Sequence, residues 1–164
     1  VNNAGICPRC SALEYTEEMW DQIIQLNQKS VFFLSQLAAR QFVKQKSRGK
    51  IINLASMMSF LGGFNTAAYT ASKSAVAGLT RVCASEWGAL GINVNALAPG
   101  WIKTGLSAAL VADTARSESV KARIPMGDWG EPDVFKGVAV LLASSASDYI
   151  NGAIIPVDGG YLTK

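Results

Sequence analysis

Ser56, Tyr69 and Lys73 lie thirteen and then four residues apart in S-M-M-S-F-L-G-G-F-N-T-A-A-Y-T-A-S-K. Residues at i and i+4 share one face of a helix, so the phenol and the ammonium can sit together. A cation beside a phenol favours the phenolate. A free tyrosine titrates near ~10, so ionisation near neutrality needs a shift of roughly 3 units, or ~4 kcal/mol. Lys73 is expected to supply part of that shift, and a cationic cofactor ring more. Ser56, across a glycine-bearing loop, is placed to hold the oxygen being oxidised or reduced. These are the parts of an alcohol–ketone interconversion.

The elements that carry these residues follow from pattern. Thr16 is an N-cap candidate with Glu17 and Glu18 behind it. Met19, Ile23, Leu26, Val31, Leu34, Leu37 and Ala38 recur at helical spacing, which predicts one long helix over 16–46. A short apolar strand is expected at 50–55 after Gly49, then a loop with Gly62 and Gly63. A second long helix over 67–88 carries Tyr69 and Lys73 on its first turns. The next strand, 92–98, is stopped by Pro99-Gly100. Residues 101–130 are less periodic and predict a mobile lid of short helices; a helix over 132–144 and a strand over 153–157 complete the chain. N-N-A-G at the start reads as the close of another buried strand. This alternation predicts an α/β fold, a doubly wound parallel sheet with helices on both faces. Ligands in such sheets bind beyond the C-terminal strand ends, where Gly5, Ser56 and Pro99-Gly100 all fall.

Composition bounds the rest. The 164 residues are 49% hydrophobic and 16% charged, which suits a sheet buried on both faces and an oligomer. A net charge of +3, scattered along the chain, gives no footprint for nucleic acid. No apolar run reaches the ~18 residues of a membrane span, and the expectation is a soluble cytoplasmic protein. With no histidine, a His-based triad is excluded and no metal site is expected. Cys7-Pro8-Arg9-Cys10 has a redox-type spacing without a second ligand pair, so Cys7 and Cys10 read as incidental loop residues. Cys83 stands alone inside a predicted helix.

N-N-A-G, the Ser56–Tyr69–Lys73 stretch, I-N-V-N-A-L-A-P-G and N-G-A-I-I-P-V-D-G-G, in this order, resemble the short-chain dehydrogenase/reductase family. The resemblance covers residues 1–164, read as one partial dinucleotide-binding domain without internal boundaries. The family opens with a Gly-rich phosphate loop, and no such motif stands in these residues. About 85 preceding residues, three βαβ-type steps, are therefore expected to belong to the intact protein.

The resemblance assigns roles by position. Tyr69 falls at the general acid/base, Lys73 at the residue that lowers the tyrosine and binds the nicotinamide ribose, and Ser56 at the residue that orients the substrate oxygen. Asn27 matches an asparagine on a locally distorted helix that holds a relay water. Asn3, Ala4 and Gly5 fall at the adenosine side of the cofactor, with Tyr69 and Lys73 also touching it. Pro99 and Gly100 fall at the turn facing nicotinamide, Ile102 and Thr104 at contacts to carboxamide and phosphates. A-S-M-M-S-F-L-G-G, R-I-P-M-G-D-W-G and S-S-A-S-D-Y-I-N-G resemble the sugar-acid branch, the 2-deoxy-D-gluconate 3-dehydrogenases. That branch implies NAD as cofactor, with NADP open because the discriminating strand is not among these residues. It also implies a homotetramer. A sugar acid needs a cation for its carboxylate, and Arg9, Lys103 and Arg123 are candidates by position. The alternatives are a 3-oxoacyl thioester reductase with the same tetrad, or a truncated, non-catalytic assembly subunit.

Overall fold

The structure, a computed structural model, describes residues 1–163. Three parallel strands form the sheet in the order β1 (Gly49–Leu54), β2 (Ile92–Pro99), β3 (Ile154–Val157). The register runs from Gly49 opposite Ile92 to Leu54 opposite Leu97, and from Ala96 opposite Ile154 to Pro99 opposite Val157. The doubly wound parallel α/β reading holds.

Strand alternation divides the core between two faces. On one face Ile51 and Val94 pack with Ala39, Cys83 and Ala84, while Ala96 meets Val31 and Val76. On the other face Ile52 and Leu97 pack against Leu142, with Phe135 and Val138 beside them. The first face is covered by α2 (Ser30–Gln45) and α3 (Ala67–Trp87), the second by α6 (Lys136–Ala143). No helix among the described residues is long and apolar enough to cross a membrane.

The expected helix over 16–46 is real but interrupted. Helix α1 (Glu17–Ile24) starts as predicted, with Thr16 Oγ1 accepting from the Met19 N–H at 3.3 Å. It then widens into a π turn, Gln25–Lys29, before α2 resumes. The predicted 132–144 helix begins as a 3-10 turn, Pro132–Phe135, because a proline at its start withholds an N–H. The 101–130 segment folds as a 3-10 turn, Gly105–Ser107, followed by α4 (Ala108–Ala112) and α5 (Thr114–Lys121).

The expected strand at the N-terminus shortens to a single parallel bridge between Asn2 and Asn53. Asn2 donates to Ile52 O at 2.8 Å and accepts from Leu54 N at 3.1 Å. Beyond it the backbone is diverted, because Ile6 is bound by the buried Asn27 rather than by a strand neighbour. Asn2 is also anchored through its amide, which donates to Ser35 Oγ at 2.9 Å and Asn53 Oδ1 at 2.8 Å; the Asn53 amide donates in turn to Thr80 Oγ1 at 2.9 Å. The amides thus tie the first residues to α2, β1 and α3.

Gly100 ends β2 because nothing larger fits. A Cβ there would stand 2.6 Å from both Cα and Cβ of Asp158. Gly100→Ala is expected to lower stability by about 1–3 kcal/mol through overpacking, read as an earlier thermal midpoint. An unchanged midpoint would show that the turn yields freely.

Candidate active site

Ser56 follows β1 by one residue and caps the 3-10 turn Met57–Ser59, its Oγ accepting from the Met58 N–H at 3.1 Å. Ser59 fastens that turn to α3: its hydroxyl donates to Lys73 O at 2.6 Å and accepts from the Ser56 N–H at 3.3 Å. The serine loop and the tyrosine helix are thereby held as one unit.

Tyr69 and Lys73 share a face of α3, as their spacing requires. Lys73 is buried at 5% exposure, and its Nζ donates to Leu54 O at 2.7 Å while lying 5.7 Å from the Tyr69 ring centroid. Burial lowers Lys73 to about 8. Burial also pushes Tyr69 up to about 12; the Ser56 hydroxyl and the Arg9 guanidinium oppose this, and Cys7 adds to it. The expected downward shift is therefore reversed in the chain itself, because removal from water outweighs the neighbouring cations. The phenol is held as a proton donor.

Asn27 is fully buried in the π turn, where the Ser30 N–H reaches back to Gln25 O. Its Oδ1 accepts from Ile6 N at 2.9 Å, and its Nδ2 donates to Ile6 O at 2.8 Å and Ser72 Oγ at 3.2 Å. Ser72 then donates to Tyr69 O at 2.7 Å. Asn27 therefore joins the Gly5–Ile6 backbone to the tyrosine helix through side-chain hydrogen bonds.

A cleft of about 980 Å³ opens beyond the strand ends. It brings together Ser56, Tyr69 and Lys73 with Asn3, Gly5, Pro99, Gly100, Ile102 and Thr104. Ala4 and Asn27 do not line it. Its charged lining consists of Arg9, Lys73, Arg116 and Arg123, with no aspartate or glutamate. Lys103, a candidate by position, lies outside this lining and is bound to Glu131 at 2.6 Å, so it is withdrawn as a carboxylate partner. Glu131 lies too far along the sequence for that pairing to be anticipated. Arg116 was missed, although Arg116, Ser119, Val120 and Arg123 follow i, i+3, i+4, i+7 spacing and all line the cleft.

Cys7, set aside as incidental, lines the same cleft, its thiol raised by burial and opposed by Arg9 and Lys73. Cys10 instead forms a backbone bridge to Thr66. The Trp101 indole N–H and the Tyr15 hydroxyl are buried without a hydrogen-bond partner among the described residues.

A parallel sheet with helices on both faces and a cleft beyond its strand ends is a Rossmann-like architecture, the class that binds nucleotides at this edge. The family described as enoyl-(acyl carrier protein) reductase matches residues 1–162. The chain belongs to the short-chain dehydrogenase/reductase family. A relative named 2-dehydro-3-deoxy-D-gluconate 5-dehydrogenase, from Dickeya dadantii (strain 3937), is 57% identical over 164 residues, covering 100% of this chain and 65% of the relative. A crystal structure described as a 2-deoxy-D-gluconate 3-dehydrogenase from Agrobacterium tumefaciens, with bound NADP, superposes with TM-score 0.97 at 47% identity, over 99% of this chain and 66% of that one. A gluconate 5-dehydrogenase from Burkholderia cenocepacia J2315, in complex with NADP and tartrate, gives TM-score 0.97 at 40% identity, over 99% and 64%. The chain thus spans about 65% of the length of the curated relatives it matches.

Proposed function

We propose that this chain forms the catalytic part of an oxidoreductase that moves a hydride between a nicotinamide dinucleotide and a secondary hydroxyl or ketone of a small sugar acid. The observation that carries the proposal is one cleft holding Ser56, Tyr69 and Lys73 under a wholly cationic charged lining. The sugar-acid names of the relatives support the substrate class.

The residues present fit a dinucleotide. The volume suits a large ligand, within the roughly 300–1,000 Å³ of ligand pockets, and the cations suit phosphates. Asn3, Ala4 and Gly5 would hold the adenosine side, Pro99, Gly100 and Ile102 the nicotinamide side, and Thr104 a phosphate. When bound, the cofactor supplies the hydride acceptor or donor, NAD in our reading, with NADP the cofactor seen in relatives. Ser56 orients the substrate oxygen, and Tyr69 exchanges its proton. Lys73 balances the charge that develops on the phenol. Asn27 holds the π turn from which a proton path leaves the site. The half-exposed Phe33, Leu34 and Leu37 on α2 support assembly into a homo-oligomer, a tetramer by family likeness. The three free cysteines suit the reducing cytoplasm.

The test is nicotinamide absorbance with the full-length protein, NAD or NADP, and a panel of sugar acids against 3-oxoacyl thioesters. Turnover of sugar acids supports the reading; turnover confined to thioesters transfers it to the reductase alternative. Turnover of neither rejects both.

Arg9 acts on the Tyr69 phenol, holding it lower than burial alone would. Arg9→Ala is therefore expected to move the tyrosine limb of the pH–rate profile upward. The rate loss at neutral pH should stay below about tenfold, because an exposed guanidinium is screened by salt. An unmoved limb would separate Arg9 from the phenol.

A further inference from the structure

We propose that Arg123, held against the face of Tyr161, is the residue that recognises the carboxylate of the sugar-acid substrate; this rests on the oxidoreductase reading above. An acid-free cleft leaves its cations without partners inside it, so the question is which one is free for the substrate. Lys73 is buried beside the tyrosine and committed to Leu54 O at 2.7 Å. Lys103 is neutralised by Glu131 at 2.6 Å.

Arg9 donates to Phe64 O at 3.4 Å and acts electrostatically on Tyr69 and Cys7, which places it beside the reacting oxygen. A carboxylate at the far end of a sugar chain from the oxidised carbon needs a cation further from the phenol. Arg123 is such a cation. Its guanidinium carbon sits 4.7 Å from the Tyr161 ring centroid, and it enters no ion pair or side-chain hydrogen bond among the described residues.

Tyr161 is itself fixed, buried at 5% exposure and packed edge-on to Trp101 at 6.2 Å. A guanidinium stacked on a fixed ring keeps its in-plane N–H groups free and loses little entropy when it grips a carboxylate with two parallel bonds. Lysine cannot reproduce that fork. Arg116, two helical turns earlier on the same lining stripe, adds charge without a stacking partner on record for it, so Arg123 is the specific contact.

The experiment compares wild-type, Arg123→Ala and Arg123→Lys forms of the full-length protein on a sugar acid and on the neutral alditol of equal chain length. Dinucleotide Kd is measured alongside. For Arg123→Ala, KM for the acid is expected to rise on the order of 10- to 100-fold, the loss of a charge-assisted contact. The kcat should stay within a few fold, with KM for the alditol and the dinucleotide Kd unchanged. Arg123→Lys should recover only part of the KM. Equal losses on acid and alditol, an unchanged KM for the acid, or a weakened dinucleotide Kd would each overturn the assignment, the last by giving Arg123 to the cofactor phosphates. If the wild-type protein turns over neither compound, the oxidoreductase reading falls and this assignment with it. If it turns over the acid and Arg123→Ala does so equally well, only this assignment falls.

Discussion

Tyr69→Phe is expected to lower kcat/KM for sugar-acid oxidation by at least about 10³-fold while leaving the fold and dinucleotide affinity intact. The substitution removes one oxygen and keeps the ring, so the packing of α3 is preserved. Positioned general acid–base groups contribute roughly 10²–10⁴ in rate, and here no second titratable donor replaces the phenol at Ser56. The pH dependence sharpens the expectation. Burial holds Tyr69 up at about 12, so the phenol carries its proton throughout the neutral range. Reduction, which consumes that proton, should vary little with pH near neutrality. Oxidation needs the phenolate and should climb as pH rises. Rates in both directions with parent and variant, alongside dinucleotide titration, provide the check. Activity retained in the variant would remove Tyr69 from the chemistry.

Lys73→Met should separate activity from stability. Turnover is expected to fall at least about 100-fold, because the charge facing the ionising phenol is lost from a site shielded from water. Stability should respond differently. Lys73 drops from 10.5 to about 8 in the folded chain, so between those values the unfolded chain binds the extra proton. Unfolding free energy then rises with pH across that window, by roughly 3 kcal/mol for this one group. Below about pH 8 both states are protonated, and the folded chain bears the full cost of a buried ammonium. In Lys73→Met the rise disappears. Denaturant unfolding of both proteins from pH 7 to 10, below the range where Tyr69 acts in the opposite sense, measures the difference. Parallel curves would mean that Lys73 is better solvated than its burial implies.

Much of this arrangement was legible in the residues. Tyr69 and Lys73 share a helical face by spacing alone, and the β-branched runs of β1 and β2 located the strands to within a residue or two. Pro99-Gly100 marked the end of β2 because a proline and a crowded glycine both stop a ladder. What escaped had long-range causes. The charge state of Lys103 depends on Glu131, and the diversion of the first residues depends on Asn27, neither of which local pattern records. The direction of the Tyr69 shift was misread because spacing reveals a neighbouring cation but not the loss of water around the phenol. The periodicity of 16–46 read as one unbroken helix, since a single extra residue barely disturbs an i, i+3, i+4 pattern; only family likeness pointed to a distortion at Asn27.

That extra residue has a consequence for phase. The buried positions of the α1–α2 rod are Ile23, Asn27, Val31, Ser35 and Ala39, one every four residues. On an ideal helix that stripe would swing about 160° around the axis between Ile23 and Ala39, carrying its far end out of the core. A π turn that absorbs one residue cuts the swing to about 60°. The widened turn thus works as a phase corrector: it keeps both halves of one rod aimed at one sheet. Excising a single residue from Gln25–Lys29 would rotate everything beyond it by about 100°, turning Ser35 and Ala39 away from the interior.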